Sequence, residues 1–216
     1  MKVTKVRLSI YIIITVIIAV TFVVYLNNRN TFKKDHKVKS KIEEYDLDIV
    51  YGSDSANLTI FLFSNYNCSF CRKFYTGVYP KLKSEYIDQG KIRLVTKLVA
   101  LTNNESVINS LKIAVSINEY GNFEKLNELL LVEPKVIYTK QFNQVVEELT
   151  EKDDFVAECM YGGEAESYLS KNLADFKRLN CTGTPTFIIN DKIIKGYMPY
   201  KKFKIIVEKE LLNTLH

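Results

Sequence analysis

The sequence predicts an α/β fold interrupted by a helical insertion and preceded by an N-terminal transmembrane helix. Three observations predict it. Residues 8–26 form an uncharged apolar run; short strand-like runs occur before residue 102 and again after Thr184; and between them residues 103–179 repeat apolar side chains at helical spacing. A chain of 216 residues with 47% hydrophobic content is long enough to bury a sizeable core.

The first seven residues are a basic segment holding Lys2, Lys5 and Arg7. LSIYIIITVIIAVTFVVYL, residues 8–26, would form a helix about 28 Å long against a hydrocarbon core of about 30 Å. An uncleaved anchor is expected. A cleaved signal sequence is the alternative, although Ala19-Val20-Thr21 makes a poor cleavage site. Residues 27–44 read as a polar juxtamembrane spacer. Residues 1–41 hold nine of the 30 Lys and Arg against Asp35, which leaves the body with 21 basic and 24 acidic residues. A nucleic-acid binder keeps its positive surplus on the folded body, so nucleic acid is not an expected partner. Counting flanking positives alone would leave the body inside the cell; long C-terminal domains translocate largely regardless of that count, and the chemistry below favours the outside.

The body divides into 45–102, 103–179 and 180–216. LDIVY (47–51) and LTIFLFS (58–64) have the length and the β-branched and aromatic content of buried strands, with GSDSAN turning between them. A helix is expected over 69–86, kinked by Pro80, and KIRLVTKLV (91–99) is a third strand. In the helical block the packing faces are Val107, Leu111, Ala114 and Val115; then Phe123, Leu126 and Leu130; then Phe142, Val145, Val146 and Leu149. A last long helix begins around Tyr168. TFIIN and KIIKG, joined at Asn190-Asp191, have hairpin spacing, and Phe203, Ile206, Val207 and Leu211 mark a terminal helix.

Cys68 and Cys71 are placed where the second strand hands over to the helix. Exposed backbone N–H groups and the positive end of the helix dipole stabilise a thiolate on the first cysteine, lowering its pKa from about 8.5. Cys68 then serves as nucleophile and leaving group, and Cys71, one turn further in, resolves a mixed disulfide. Zinc would need a second ligand pair, yet Cys159 and Cys181 are far apart in sequence and His36 and His216 lie near opposite ends. A purely structural disulfide across two residues closes too small a loop to contribute much. Cys159 and Cys181 fit a second disulfide, two buried thiols or a redox relay.

YNCSFCRKFY, followed by VYPKLKSEYIDQGKIRLV, GTPTFIIN and the Gly196–Pro199 turn, resembles the DsbA-like thiol:disulfide oxidoreductases of the thioredoxin superfamily. The resemblance runs from about Asp48 to Leu212. It implies a thioredoxin-like fold with an inserted helical domain at 103–179, a cis peptide before Pro185, and a loop in which Thr184 and Pro185 receive an extended substrate backbone. It further implies a monomer that needs no cofactor or metal, acts on reduced or unfolded exported proteins, and is reoxidised by a quinone-linked membrane protein of the DsbB or vitamin-K-epoxide-reductase type. The catalytic domain would then stand outside the bacterial cytoplasmic membrane. The chain departs from the strongest oxidants of the family at three places: Ser69-Phe70 lacks their histidine, Thr184 stands where many have valine, and Leu62 stands where relatives often have a buried acid. An isomerase or reductase of the same fold, or a client-binding module with incidental cysteines, are the rival readings.

Overall fold

Among the described residues, β1 (Ile49–Tyr51), β2 (Leu58–Ser64), β3 (Ile92–Leu98), β4 (Thr186–Ile189) and β5 (Lys192–Lys195) form one sheet in the order β1-β3-β2-β4-β5. The computed structural model describes Thr21 and residues 42–120, 123–190 and 192–214. Apart from Thr21, the expected anchor at 8–26 lies outside them, as do the basic segment and the spacer up to residue 41; among the described residues no helix is long and apolar enough to cross a membrane.

β2 and β3 pair in parallel from Leu58 opposite Ile92 to Ser64 opposite Leu98, whereas β1, β4 and β5 join antiparallel. A parallel pair needs a crossover, which residues 65–91 supply. This crossover is not one kinked helix. It breaks into α1 (Ser69–Gly77), α2 (Tyr79–Leu82) and a π-helical turn (Lys83–Ile87). The break falls at Val78, just after the poor helix former Gly77, which places Pro80 in the first turn of α2, where its missing N–H costs nothing.

The strand period of two sorts the core. Leu58, Ile60 and Leu62 share one face with Leu94, Phe187 and Ile189, packed under Phe74 of α1 and under Phe203 and Val207 of α8 (Tyr200–Asn213). On the other face, Phe63 meets Phe176 edge-on with ring centroids 5.4 Å apart. Phe176 belongs to α7 (Glu164–Arg178), which starts at Glu164, a turn earlier than the apolar spacing indicates.

The helical block comprises α3 (Glu105–Tyr120), α4 (Phe123–Val132), a 3-10 turn (Pro134–Tyr138), α5 (Lys140–Lys152) and α6 (Asp154–Tyr161). Val107, Leu111, Ala114, Val115, Phe123, Leu126, Leu130, Phe142 and Val146 are all buried in one cluster, as their spacing predicts; Val145 instead faces solvent. Thr139 and Asp153 cap α5 and α6 with side-chain oxygens.

The segment that opens the folded body is latched by a buried polar network. Lys97 Nζ lies 2.6 Å from Asp48 Oδ2, with both side chains fully buried. The Tyr168 hydroxyl donates to Asp48 Oδ1 at 3.0 Å, and Asn172 Nδ2 donates to the Leu98 carbonyl at 2.9 Å. Lys97 Nζ also sits 4.0 Å from the centroid of the Tyr45 ring, whose hydroxyl donates to Asp175. Burial pushes Asp48 up and Lys97 down, and their mutual contact opposes both shifts. Period and composition do not flag this pair.

Candidate active site

Cys68 is the N-cap of α1: its backbone is extended (φ −93°, ψ 114°), and its sulfur accepts the Cys71 backbone N–H at 3.2 Å. An oxygen usually fills this capping role. A sulfur that fills it gains most when ionised, because the helix presents donors and the positive end of its dipole. The Cys68 pKa is accordingly lowered to about 5, first by the hydrogen bond from the Cys71 thiol, then, against the opposing effect of burial, by Thr184 and by the Cys71 and Phe70 amides. Cys71 is 1% exposed, and burial together with the neighbouring Cys68 pushes its thiol up. The two cysteines are thus divided into an acidic, half-buried sulfur and a sheltered one that holds its proton.

The other predicted residues converge here from a distant part of the chain. Leu179 is the C-cap of α7, after which the Asn180 N–H donates to Lys177 O and the Cys181 N–H to Phe176 O, while Asn180 takes a left-handed φ of 52°. This pairing satisfies the last helical carbonyls and turns the chain sharply. It delivers Gly183, Thr184 and Pro185 to the cysteines. The Thr184–Pro185 peptide bond is cis, and the Cys68 thiol donates to the Thr184 carbonyl at 3.1 Å. The Thr184 hydroxyl favours the ionised form of both cysteines. Pro185 O accepts the Gly196 N–H at 2.8 Å, which ties the loop to the turn before α8.

Around Cys68, a shallow cleft of about 160 Å³ is lined by Asn65, Asn67, Leu101, Thr102 and Thr184. Leu101 is 45% exposed on one side; on the other, Phe70 is 51% exposed and stacks on Tyr197 at 6.4 Å between centroids. Lys73 lies over the Phe70 ring. Cys68 and Cys71 are held as thiols. Cys159 packs in the cluster of the helical block, and Cys181 is buried at the turn after α7. Among the described residues, no three His, Cys, Asp or Glu side chains gather as metal ligands do.

The residue that the sequence reading missed is Asn65, 6% exposed at the end of β2. Its position three residues before Cys68 was the available signal, since Asn commonly hydrogen-bonds the backbone two residues on. Leu62, six residues before Cys68, is fully buried in the sheet core, and Asp48, the acid paired with Lys97, lies on the opposite face of the sheet from α1.

The family model for Thioredoxin_4, described as thioredoxin, matches residues 44–209. The chain belongs to this family. Family membership agrees with the observed fold, in which the sheet is interrupted by a helical insertion. Disulfide bond formation protein D of Bacillus subtilis is 27% identical over 180 residues, covering 75% of this chain and 76% of that protein. A putative protein-disulfide oxidoreductase of Rickettsia conorii is 23% identical over 169 residues, covering 75% of this chain and 59% of its own length. Among solved structures, Wolbachia pipientis alpha-DsbA1 superposes with a TM-score of 0.66 at 18% identity, covering 81% of this chain and 96% of that one. Oxidised BdbD of Bacillus subtilis gives 0.62 at 20% identity, over 78% and 95%. These similarities in shape extend the family's fold across the helical block.

Proposed function

We propose that the chain is a thiol:disulfide oxidoreductase that introduces disulfide bonds into exported proteins, with Cys68 and Cys71 as its catalytic pair and Thr184 and Pro185 as its substrate loop. The observation that carries the reading is the division of labour between the two sulfurs: an acidic Cys68 capping a helix beside the cis-proline loop, and a buried Cys71 that keeps its proton.

In the working cycle Cys68 and Cys71 begin as a disulfide. A client thiolate attacks the Cys68 sulfur, the Cys68–Cys71 bond breaks, and Cys71 leaves with the electron pair and takes up a proton. A second client thiolate then attacks the client's sulfur in the mixed disulfide. The client disulfide closes, and Cys68 departs as a thiolate, which its helix-capping position stabilises. The client has lost two electrons and two protons; the pair has gained both electrons and the one proton that Cys71 holds, and the other proton goes to solvent. A quinone-linked membrane protein of the DsbB or vitamin-K-epoxide-reductase type removes the electrons in turn. Residues 8–26 anchor the enzyme in the cytoplasmic membrane, and 27–44 hold the body on the extracytoplasmic side.

Reduced and scrambled ribonuclease, supplied as separate substrates, test this reading. The oxidised protein should restore activity to the reduced form, and Cys68→Ala should abolish that recovery. Recovery of the scrambled form alone would favour the isomerase, a reading that Thr184 keeps open. Full function of Cys68→Ala in cells would point instead to a binding module.

A further inference from the structure

We propose that Asn65 is a positioning residue for the redox pair, a neutral amide that fixes the two cysteines relative to the linker along which a client lies. The inference rests on the oxidoreductase reading and adds to it a residue outside the two cysteines and the proline loop.

Three separate parts of the fold meet on this one residue, two of them through its side chain. Asn65 Nδ2 donates to the Val99 carbonyl at 2.8 Å, across 34 residues, and so pins the first residue beyond β3. Its Oδ1 accepts the Asn67 N–H at 2.7 Å, which folds the loop entering α1. Its backbone carbonyl accepts the Cys68 N–H at 3.1 Å, and its backbone N–H favours the thiolate of Cys71. The pinned linker runs on to Leu101 and Thr102, which face Cys68 across the client cleft. A local turn alone would need only the bond to Asn67. The bond to Val99 has no part in that turn; what it does is hold the cleft wall against the helix start.

The choice of amide is chemically narrow. Aspartate would keep the acceptor for Asn67 but lose the donor to Val99, and it would bring a buried negative charge to a site whose reactive group must itself become negative. Serine could accept from Asn67 but is too short to span to Val99. The other titratable neighbours do not supply such a charge: Tyr75 lies behind Cys71 on α1, and Arg72 donates to the Tyr66 carbonyl.

The test is the pH profile of Cys68 alkylation by iodoacetamide in the reduced protein, together with its equilibrium against glutathione. Asn65→Asp should raise the alkylation midpoint by at least one pH unit, about tenfold less thiolate on the acid side, and shift the glutathione equilibrium about tenfold toward a weaker oxidant. Asn65→Ser, without the added charge, should shift both in the same direction by less. Unchanged profiles in both variants, with only a lower melting temperature, would reduce Asn65 to a structural residue and overturn the proposal. If the variants do not fold, the unsubstituted protein decides: the Asn65 side-chain amide resonances should titrate with the Cys68 midpoint, and amides that do not move would overturn it equally. Alkylation needs no client, so failure here is distinct from failure of the oxidase reading, which the ribonuclease assay detects on its own.

Discussion

The acidity of Cys68 has consequences that can be read without any substrate. Alkylation of the reduced protein should reach half its maximal rate near pH 5, and Cys71 should stay unmodified throughout the neutral range. Thr184→Val removes a hydroxyl that favours the thiolate while keeping the residue's shape. A hydrogen bond to a charged group contributes about 1.5 kcal/mol, so the midpoint should rise by about one pH unit. The same depression governs stability. In the folded reduced chain Cys68 stays charged down to about pH 5, whereas in the unfolded chain it is protonated below about 8.5. Between those values the unfolded chain binds the extra proton, so the reduced form gains stability as pH rises and loses that gain as pH falls through 5. Above about 8.5 the raised Cys71 works the other way, since only its unfolded form ionises. The disulfide form has neither thiol. Urea midpoints measured on both forms should therefore move in favour of the reduced form between pH 4.5 and 7.5.

Of the secondary-structure elements, α1 carries the proposed catalytic pair, and its placement depends on Phe74. This ring is 1% exposed and packs against Phe187 and Phe203 at 5.0 and 5.8 Å between centroids. Phe74→Ala should cost about 3–5 kcal/mol in denaturant titration. What the sequence made legible follows from where its signals are strong. Cys68 and Cys71 stand out because two thiols at a strand–helix junction point to one chemistry, Pro185 only through the resemblance to the DsbA-like family, and the hairpin at Asn190 because a two-residue turn demands the left-handed φ of 53° that Asn tolerates. The broken crossover was hidden, because a proline signals a disturbed helix but not whether the chain kinks there or restarts with the proline in a first turn. Asn65 was hidden for another reason: its defining bond reaches Val99, and no local pattern reports a partner 34 residues away. Asp48 and Lys97 are hidden likewise, since charged residues in a sequence read as surface until the fold encloses them.

The proposed function places the body, from residue 45 onward, outside the cytoplasm. A reporter active only outside the cytoplasm, fused after His216, should be active in cells; activity only from a cytoplasmic reporter would place the body on the other side. Tyr45 and Asp48, where the body begins, are bound into β3 and α7 rather than lying loosely on the surface. Asp48→Ala would leave the buried Lys97 without its directly paired carboxylate, a loss of about 3–5 kcal/mol that a melting curve would register. The same geometry sets the limit for trimming the protein into a soluble fragment. A chain cut to begin at Ile49 would keep every strand and both cysteines yet leave the buried Lys97 without Asp48, so the shortest well-behaved fragment must start upstream of Tyr45.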